Sequence, residues 1–307
     1  MTSKNHARSP AAQRLAAQRA EAARARTAAT QRRRRMRLVG VPIAVVVLAV
    51  GALIGVKLAT GTGSPKSGQK ATAAADSIIR AVTSVPGATL DAIGKGTAST
   101  VPTAVSAPAL TADGKPRVLY VGAEYCPYCA TERWAVVVAL SRFGTFTDLG
   151  QTASSPSDVY PSTATLTFHG ASYTSTTISF TGKEIQSNQV VNGRYSTLDT
   201  LTAADQALVT KYDAPPYFSS SGAIPFIDIG GRYLISGASY APSVLQGKTH
   251  AQIAAALSDP TSAIAKGVDG TANLITAAIC RSTDSTPATV CTSAGVTSAA
   301  AALSNAG

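Results

Sequence analysis

A Cys-Pro-Tyr-Cys sequence at residues 126–129 separates a strand pattern from a helical pattern, and it constrains the fold of this 307-residue chain more than any other feature. The run before it, PRVLYVGA at 116–123, is short and apolar, which is typical of a strand buried on both faces. Apolar residues after Pro127 recur at helical spacing, and proline is favoured at the first position of a helix. The sequence therefore predicts a strand, a tight turn and a helix, with Cys126 and Cys129 at the helix N-terminus.

The helix predicted after Pro127 presents one apolar face to the core. That face comprises Ala130, Trp134, Val137, Val138 and Ser141. Glu132 and Arg133 lie elsewhere on this helix. Trp134 is the only tryptophan of the chain and is expected to pack inside.

Turn and capping signals divide the rest of the chain into further strands and helices. Gly230-Gly231 between FIDI and RYLIS is a strong hairpin signal, and Thr249 with Gln252 forms a capping-box pattern. The other predicted elements are helices at 76–85 and 202–211 and strands at 89–94, 163–168 and 173–180. This order of elements predicts an α/β sheet with helices packed on its faces.

Residues 38–56, LVGVPIAVVVLAVGALIGV, form an apolar run without a single charge. A helix of this length spans roughly 28 Å, close to the ~30 Å hydrocarbon core of a bilayer. Arginines crowd residues 32–37 immediately before the run, and few basic residues follow it. The sequence therefore predicts a transmembrane helix over 38–57 with the N-terminus in the cytoplasm and the body outside. A cleaved signal peptide is the alternative, because small residues follow the run.

The formal net charge of +11 lies almost entirely in the N-terminal tail. Residues 1–37 contain eleven Lys and Arg and one acid, whereas the remaining residues are close to neutral. This distribution argues against a folded domain with a basic, nucleic-acid-binding face. We expect a basic cytoplasmic tail that sets the topology and contacts anionic lipid, so the predicted partners include the lipid bilayer and no nucleic acid.

Composition divides the chain after the apolar run into three segments. Residues 58–75 are rich in Gly, Ser, Thr and Ala, which predicts a flexible linker. The folded domain is expected over 76–262, with an insertion at about 150–215. Residues 263–307 are expected to form a C-terminal segment that ends in a loose, low-complexity stretch.

The Cys126–Cys129 pair has the chemistry of a reactive dithiol. The first sulfur lies among backbone N–H groups that have no helical partners, and at the positive end of the helix dipole. Both effects favour the thiolate, so we expect a lowered pKa for Cys126, which then acts as the nucleophile. Cys129, one turn further on, is expected to be more buried and to serve as the resolving thiol.

Two other roles for this pair are weaker. A disulfide across so short a loop constrains the unfolded chain little and would be a poor structural staple. A zinc site built from all four cysteines would need a second closely spaced pair, and Cys280 and Cys291 lack that spacing. The histidines, His6, His169 and His250, do not suit a multi-histidine site. We therefore expect neither a metal nor a cofactor.

Cys280 and Cys291 enclose a turn-rich segment, RSTDSTPATV. Cysteines outside the membrane are normally paired, and closing this loop would stabilise the fold by about 3 kcal/mol in the chain-entropy model. We expect a structural disulfide that fixes the C-terminal segment. A redox relay between this pair and Cys126–Cys129 is the alternative.

The strand–CPYC–helix pattern, followed far downstream by Gly222-Ala-Ile-Pro-Phe before the hairpin, resembles the thioredoxin-like superfamily. The resemblance implies that Pro225 follows a cis peptide bond and faces the dithiol, and that Ile224 presents its backbone to an extended substrate. Tyr125 stands where thioredoxin itself has tryptophan. The long interval before Pro225 implies a thioredoxin-like fold with a β/α insertion between the CxxC helix and the cis-proline strand, as in periplasmic oxidases of the DsbA type.

A closer likeness covers most of the body, from about Asp76 to Cys291, and is to a membrane-anchored family, domain of unknown function 929. Three segments carry it: GKPRVLYVGAEYCPYCATERWAVVVALSRFGTF, TLTFHGASYTS and IPFIDIGGRYLISGASY. This family name implies a fold and does not imply an activity.

Residues and resemblance together predict a membrane-anchored, extracytoplasmic thiol–disulfide oxidoreductase. Its expected substrates are protein thiols and disulfides, and a redox partner in the membrane would recycle the pair. Tyr125 and Tyr128 are expected to line the substrate groove, and Glu124 is either a proton relay or a solvated carboxylate at the strand end. The alternative is a non-enzymatic binding or assembly protein on a thioredoxin-like scaffold, with both cysteine pairs structural.

Overall fold

The computed structural model describes residues 67–303 of the chain, and side chains from residue 75 onward. The basic tail and the transmembrane helix predicted over 38–57 lie outside these residues. Within 67–303, every helix is too short or too polar to cross a membrane.

The described residues form an α/β domain whose strands and helices are as follows. The strands are β1 (Thr103–Ala104), β2 (Thr111–Ala112), β3 (Lys115–Gly122), β4 (Thr145–Thr147), β5 (Gly150–Ala153), β6 (Ala164–Thr167), β7 (Ser172–Thr174), β8 (Ser179–Glu184), β9 (Gln186–Val191), β10 (Arg194–Thr197), β11 (Phe226–Ile229) and β12 (Tyr233–Ser236). The helices are α1 (Ser67–Thr83), α2 (Gly87–Ile93), α3 (Pro127–Leu140), α4 (Ala203–Tyr212), α5 (His250–Ala256), α6 (Ala263–Ser282), α7 (Ala288–Cys291) and α8 (Ala294–Ala300), with a short 3-10 helix at Pro242–Leu245.

The central sheet is mixed and is built around β3. β8 runs parallel to β3, while β11 runs antiparallel to it on the other edge and carries β12 and β1 beyond. The predicted strand at 116–123 is therefore confirmed, and its last five residues are buried. The α/β class is confirmed as well, and the structure shows that the sheet is mixed.

The hairpin signal at Gly230-Gly231 is also confirmed. β11 and β12 pair in antiparallel register from Phe226↔Ser236 to Ile229↔Tyr233. Both turn glycines have positive φ, and a Cβ at Gly231 would collide with the carbonyl of Pro108. Glycine is therefore required at that position both by conformation and by space.

α3 is buried on almost every side because it lies against β6 and is covered along its length by α6. Trp134 is fully buried, as predicted, and its indole N–H donates to the carbonyl of Ala164 at 3.0 Å. Glu132 and Arg133 lie off the predicted apolar face and are fully buried as well. Hydrogen-bonding partners supplied by distant segments offset the desolvation of these two charged side chains.

The edge strand predicted at 89–94 is wrong, because residues 89–93 belong to helix α2 and Gly94 is its C-cap. The run TLDAIG is too short for its periodicity to separate strand from helix. Pro86 precedes the helix in extended conformation and Gly94 ends it with positive φ, so these two residues bracket a helical turn. Leu90 buries itself in the core from this helix.

The linker predicted over 58–75 is shorter than expected at its C-terminal end, because α1 begins at Ser67. Most of the segment ATAAAD, at 71–76, lies in the predicted linker. This segment is rich in alanine, the strongest helix former, and it leads directly into the helix predicted at 76–85. Residues 58–66 lie outside the described part of the chain.

The described part of the C-terminal segment, 263–303, packs into the core, contrary to the domain boundary predicted at 262/263 and to the loose end predicted after it. α6 packs along α3, and α8 packs on α6 and α2. Val296 and Ala299 are buried, and a Cβ at Gly295 would collide with the carbonyl of Leu90. The small residues that look like low complexity in the sequence are the ones that permit this close packing.

The insertion between α3 and β11 contains three small two-stranded sheets and α4. The strands predicted at 163–168 and 173–180 are present in part as β6, β7 and β8, but β6 pairs with β5 and β7 pairs with β4. Thr202 caps α4, and the capping box of Thr249 and Gln252 begins α5, both as predicted.

Candidate functional site

Cys126 occupies the N-cap position of α3, at the C-terminal end of β3. Its backbone is extended, Pro127 is the first helical residue, and the N–H of Cys129 donates to the Cys126 Sγ at 3.4 Å. The sulfur therefore takes the place of the oxygen that usually satisfies a free N–H at a helix N-terminus. The local sequence alone produces this arrangement.

The two thiols differ in burial and in acidity. Cys126 is 6% exposed and Cys129 is completely buried, and both are free thiols. A hydrogen bond with the Cys129 thiol, together with backbone N–H groups and the charge of Arg133, outweighs burial and lowers the pKa of Cys126. Burial, followed by the hydrogen bond and the charge of Cys126, raises the pKa of Cys129 well above its usual range. Cys126 is thus the better nucleophile and Cys129 holds its proton.

The segment before β11 faces the dithiol although it lies far away in sequence. The Ile224–Pro225 peptide bond is cis, as the resemblance implies. The Cys126 thiol lies 3.7 Å from the Ile224 carbonyl oxygen and donates to it. The N–H of Gly237 donates to the Pro225 carbonyl at 2.8 Å, which ties this segment to the end of β12.

Under the dithiol lies a buried ion pair that the sequence analysis missed. Arg133 donates from Nε and Nη2 to the two carboxylate oxygens of Glu184, at 2.7 and 2.6 Å, and neither side chain is exposed. The Arg133 Nη2 also donates to the Ala123 carbonyl at 2.6 Å. Burial raises the pKa of Glu184, and the guanidinium of Arg133 opposes that shift. The charges of both residues act on Cys129.

Tyr120 completes the buried polar cluster around this pair. Its ring packs edge-on against Phe168 at a centroid distance of 4.8 Å, and burial raises the pKa of its hydroxyl well above the usual range. Within the described residues, the Tyr120 hydroxyl and the Arg133 Nη1 have no hydrogen-bond partner. A Cβ at Gly122 would collide with the Tyr120 hydroxyl, so glycine is needed there to accommodate the ring.

The two tyrosines of the motif lie at the surface beside the sulfurs. The Tyr125 ring stacks on Tyr195 of β10, with centroids 4.2 Å apart and planes 4° from parallel. Tyr128 is 41% exposed and meets Tyr160 edge-on at 6.2 Å. Both partners belong to the insertion.

Glu124 lies beside the buried ion pair and is half-buried. Its backbone N–H donates to the Gln186 carbonyl at 2.8 Å, and the charge of its carboxylate contributes to the raised pKa of Glu184. In the described part of the chain its side chain makes no hydrogen bond to either thiol. Its proton-relay role stays a prediction.

Cys280 and Cys291 form a disulfide, as predicted, with Cα atoms 5.6 Å apart. The bond lies at the end of α6 near the β11–β12 turn, where Ser282 Oγ donates to the Ile229 carbonyl at 3.4 Å. Ile229 pairs with Val118 near the start of β3, whereas Cys126 follows its far end. Roughly 13 Å of strand separates Val118 from the end of β3, and this separation favours a structural link over a redox relay, which stays the alternative prediction.

A cleft of about 280 Å³ lies on the sheet face that carries Phe226, away from the sulfurs. It is lined by α4, by residues 107–110 and by Asp228. None of the predicted site residues lines it. Among described residues, no group of three or more His, Cys, Asp or Glu side chains is arranged to hold a metal ion.

Comparison with known proteins gives one match. The profile of a family described as domain of unknown function (DUF929) matches residues 102–281, which include both cysteines of the motif, the ion pair and Pro225. The chain belongs to this family. No curated protein and no solved structure matches the chain significantly. The DUF929 region begins just before β1 and ends at the last turn of α6, so it contains the central sheet and the helix that covers α3.

Proposed function

We propose that this DUF929 protein is a membrane-anchored, extracytoplasmic thiol–disulfide oxidoreductase that acts through Cys126 and Cys129. The observation that carries the proposal is a sulfur at a helix N-cap, 3.4 Å from the Cys129 N–H and 3.7 Å from the Ile224 carbonyl oxygen. A thiol with a lowered pKa beside one with a raised pKa suits successive attack and resolution.

A thioredoxin-like fold is part of this proposal. The strand–CxxC–helix unit, the mixed sheet, the cis Ile224–Pro225 bond opposite the sulfurs and an insertion in between are the features that the resemblance implies. The membrane anchor, the extracytoplasmic position and a membrane redox partner rest on the apolar run at 38–56 and its flanking arginines.

The reaction begins with the Cys126 thiolate, which attacks one sulfur of a substrate disulfide. A bond forms between Cys126 and that sulfur, and the other substrate sulfur leaves as a thiolate. Cys129 then loses its proton and attacks the Cys126 Sγ, which releases the second substrate sulfur and leaves a Cys126–Cys129 disulfide. Two electrons pass from the pair to the substrate, and the reverse sequence oxidises a substrate dithiol.

The buried Arg133–Glu184 ion pair contains a group that can accept the proton of Cys129. Cys129 is fully buried, so water cannot remove this proton directly. Once Cys126 is in the mixed disulfide, the carboxylate of Glu184, which has a raised pKa and whose charge acts on the Cys129 thiol, is the acceptor in this proposal. Arg133 holds the carboxylate in place through two hydrogen bonds and limits how far its pKa rises.

The test uses trapping and activity together. In the full chain, Cys129→Ala should accumulate a mixed disulfide between Cys126 and an added protein disulfide, and Cys126→Ser should trap nothing and reduce no insulin. The Cys280→Ala/Cys291→Ala variant is the matched control and should reduce insulin at the parent rate. If Cys129→Ala traps nothing and the parent pair resists glutathione, the non-enzymatic binding or assembly role becomes the better description.

A further inference from the structure

Glu132 lies on α3 three residues after Cys129 and is fully buried. Both of its carboxylate oxygens accept hydrogen bonds from one distant residue. The Ser239 N–H donates to Oε2 and the Ser239 Oγ donates to Oε1, each at 2.8 Å. Burial raises the pKa of Glu132 to about 7, and these two hydrogen bonds oppose that shift. Burying a carboxyl costs free energy that an apolar side chain would not cost, so what Glu132 adds is a directional contact.

Glu132 binds a short segment, residues 237–240, that follows β12. We call this segment the β12 extension. The residue after Ser239 is bound to α3 as well, because the Tyr240 hydroxyl donates to the Thr131 carbonyl at 2.7 Å. A Cβ at Gly267 of α6 would collide with the Tyr240 ring, so the ring lies directly against that helix. Two consecutive residues of α3 therefore hold two consecutive residues of the β12 extension.

The other end of the β12 extension binds the cis-proline segment. Strand β11 pairs with β3 and with β12 only as far as Phe226, so Ile224 and Pro225 lie beyond the paired residues of the sheet. There the Gly237 N–H donates to the Pro225 carbonyl at 2.8 Å. The Ile224 carbonyl oxygen lies 3.7 Å from the Cys126 Sγ and accepts from its thiol.

These contacts form a closed circuit that begins and ends at Cys126. Helix α3 leads from Cys126 to Glu132 over about 9 Å, and the carboxylate then binds Ser239. The β12 extension leads back to Pro225, and the Ile224 carbonyl returns to the sulfur. Because the helix is stiff, the distance between the sulfur and this carbonyl depends on the Glu132–Ser239 contact.

We infer that Glu132 is a positioning residue of the dithiol site, which holds the Ile224 carbonyl against Cys126 through the β12 extension. This inference rests on the proposed function, in which Cys126 is the reactive thiol, and it identifies a residue that controls this reactivity. A carbonyl oxygen accepts from the thiol and repels the thiolate, so its position governs how readily Cys126 loses its proton. The role is geometric and does not require the charge of Glu132.

Three variants separate geometry from charge. In Glu132→Gln the amide oxygen accepts from the Ser239 N–H and the amide nitrogen donates to the Ser239 Oγ, because a hydroxyl both donates and accepts. This variant keeps both contacts without the charge. Glu132→Met has a similar length and keeps neither contact. Ser239→Ala removes the hydroxyl contact and keeps the backbone contact.

The experiment measures the alkylation of Cys126 by iodoacetamide in the reduced full chain, held in lipid nanodiscs, from pH 5 to pH 9. The Cys126 thiolate displaces iodide from the reagent, and mass spectrometry of the peptide that contains it gives the rate. At the acid end, Glu132→Met should react about threefold faster than the parent, because the thiol has lost a weak hydrogen-bond acceptor. Glu132→Gln should react at the parent rate, and Ser239→Ala should lie in between.

Val296→Ala is the control for a general loss of stability. It leaves a cavity where α8 packs into the core, away from the circuit, and should be alkylated at the parent rate. The fluorescence of the buried Trp134 reports whether each variant is folded. If Glu132→Met does not fold, Ser239→Ala carries the test.

Three results would overturn the inference. They are parent rates in folded Glu132→Met and Ser239→Ala, an equal acceleration in Val296→Ala, and an acceleration in Glu132→Gln that equals that of Glu132→Met. The last result would mean that the charge of Glu132 acts on Cys126, and not its hydrogen bonds. Failure of the proposed function looks different, because the parent would then trap no protein disulfide and reduce no insulin, whatever the order of the alkylation rates.

Discussion

Arg133→Met should destabilise the protein strongly, whereas Arg133→Met/Glu184→Met should not. In the parent, Arg133 makes two hydrogen bonds to Glu184 and one to Ala123, all between 2.6 and 2.7 Å and all fully buried. The single variant leaves a buried carboxylate without a cation and a carbonyl without a donor. The double variant removes both charges and fills the space with apolar atoms of similar length.

The magnitudes separate the two variants clearly. Removing one partner of a buried pair costs about 3–5 kcal/mol, because an uncompensated charge stays behind. Replacing both partners by hydrophobic residues is often neutral or stabilising, but here the Ala123 carbonyl and the Phe168 N–H lose their partners, at a cost of about 1 kcal/mol each. We therefore expect the double variant to be more stable than the single variant by about 1–3 kcal/mol.

The cost of Arg133→Met should grow as pH rises. Without the guanidinium, burial raises the pKa of Glu184 further above its unfolded value. Below the unfolded pKa, near 4, the carboxyl is protonated in both states and the cost is smallest. As pH rises the unfolded chain loses the proton first, so folding stability falls until the pH passes the raised folded pKa.

Urea denaturation, monitored by the fluorescence of Trp134, measures the free energies of unfolding and their dependence on pH in one series of experiments. This residue is the only tryptophan and is fully buried next to Arg133 along α3, so its emission reports the local core. Midpoints are compared for the parent, both single variants and the double variant from pH 4 to pH 8. A double variant as unstable as the sum of the singles, or a cost that shrinks with rising pH, would refute the reasoning.

Three further predictions concern other groups. Burial raises the pKa of Asp269 to about 8, so the parent should lose stability between about pH 4 and pH 8, and Asp269→Asn should remove this loss and gain on the order of 5 kcal/mol at pH 8, measured by urea denaturation. Cys129→Ala should raise the pKa of Cys126, because the Cys129 thiol is the main cause of its lowered value; ultraviolet absorbance of the thiolate against pH checks this. Cys280→Ala/Cys291→Ala should lower the free energy of unfolding by about 3 kcal/mol. Loss of insulin reduction by this variant while it is folded would contradict a purely structural role for the disulfide.

The parts of the fold that the sequence predicts well are those set by neighbours along the chain. β3 and α3, the hairpin at Gly230-Gly231 and the capping box at Thr249 each depend on a few adjacent residues. The position of Cys126 at a helix N-cap has the same origin. The sequence is sufficient to locate the dithiol because the activation of Cys126 is largely local.

The rest of the site depends on contacts that no local pattern encodes. Arg133 is buried because Glu184, 51 residues later, supplies a carboxylate at the end of β8. The one cue in the sequence is an arginine directly before the apolar run WAVVVAL. The partners of Tyr125 and Tyr128 come from the insertion, whose two-stranded sheets have weak sequence patterns.

The sequence does not predict the C-terminal helices, for a related reason. Alanine, glycine, serine and threonine dominate residues 292–303, and such composition also occurs in disordered chain. Here the small side chains let α8 approach α2 and α6 closely, and the nearby disulfide holds the chain in place. Packing against α2, which lies about 200 residues earlier, cannot be seen in the composition of the segment.

The distribution of the site along the chain has a consequence for synthesis. Cys126 can cap the helix as soon as Cys129 has been synthesised, because the cap is its hydrogen bond with the Cys129 N–H. Glu184, Ile224 and the covering helix α6 are synthesised later. A nascent chain would therefore expose an activated sulfur long before its resolving partner is sheltered. Such a chain would depend on rapid completion of the domain to keep Cys126 from forming disulfides with the cysteines of other newly made proteins.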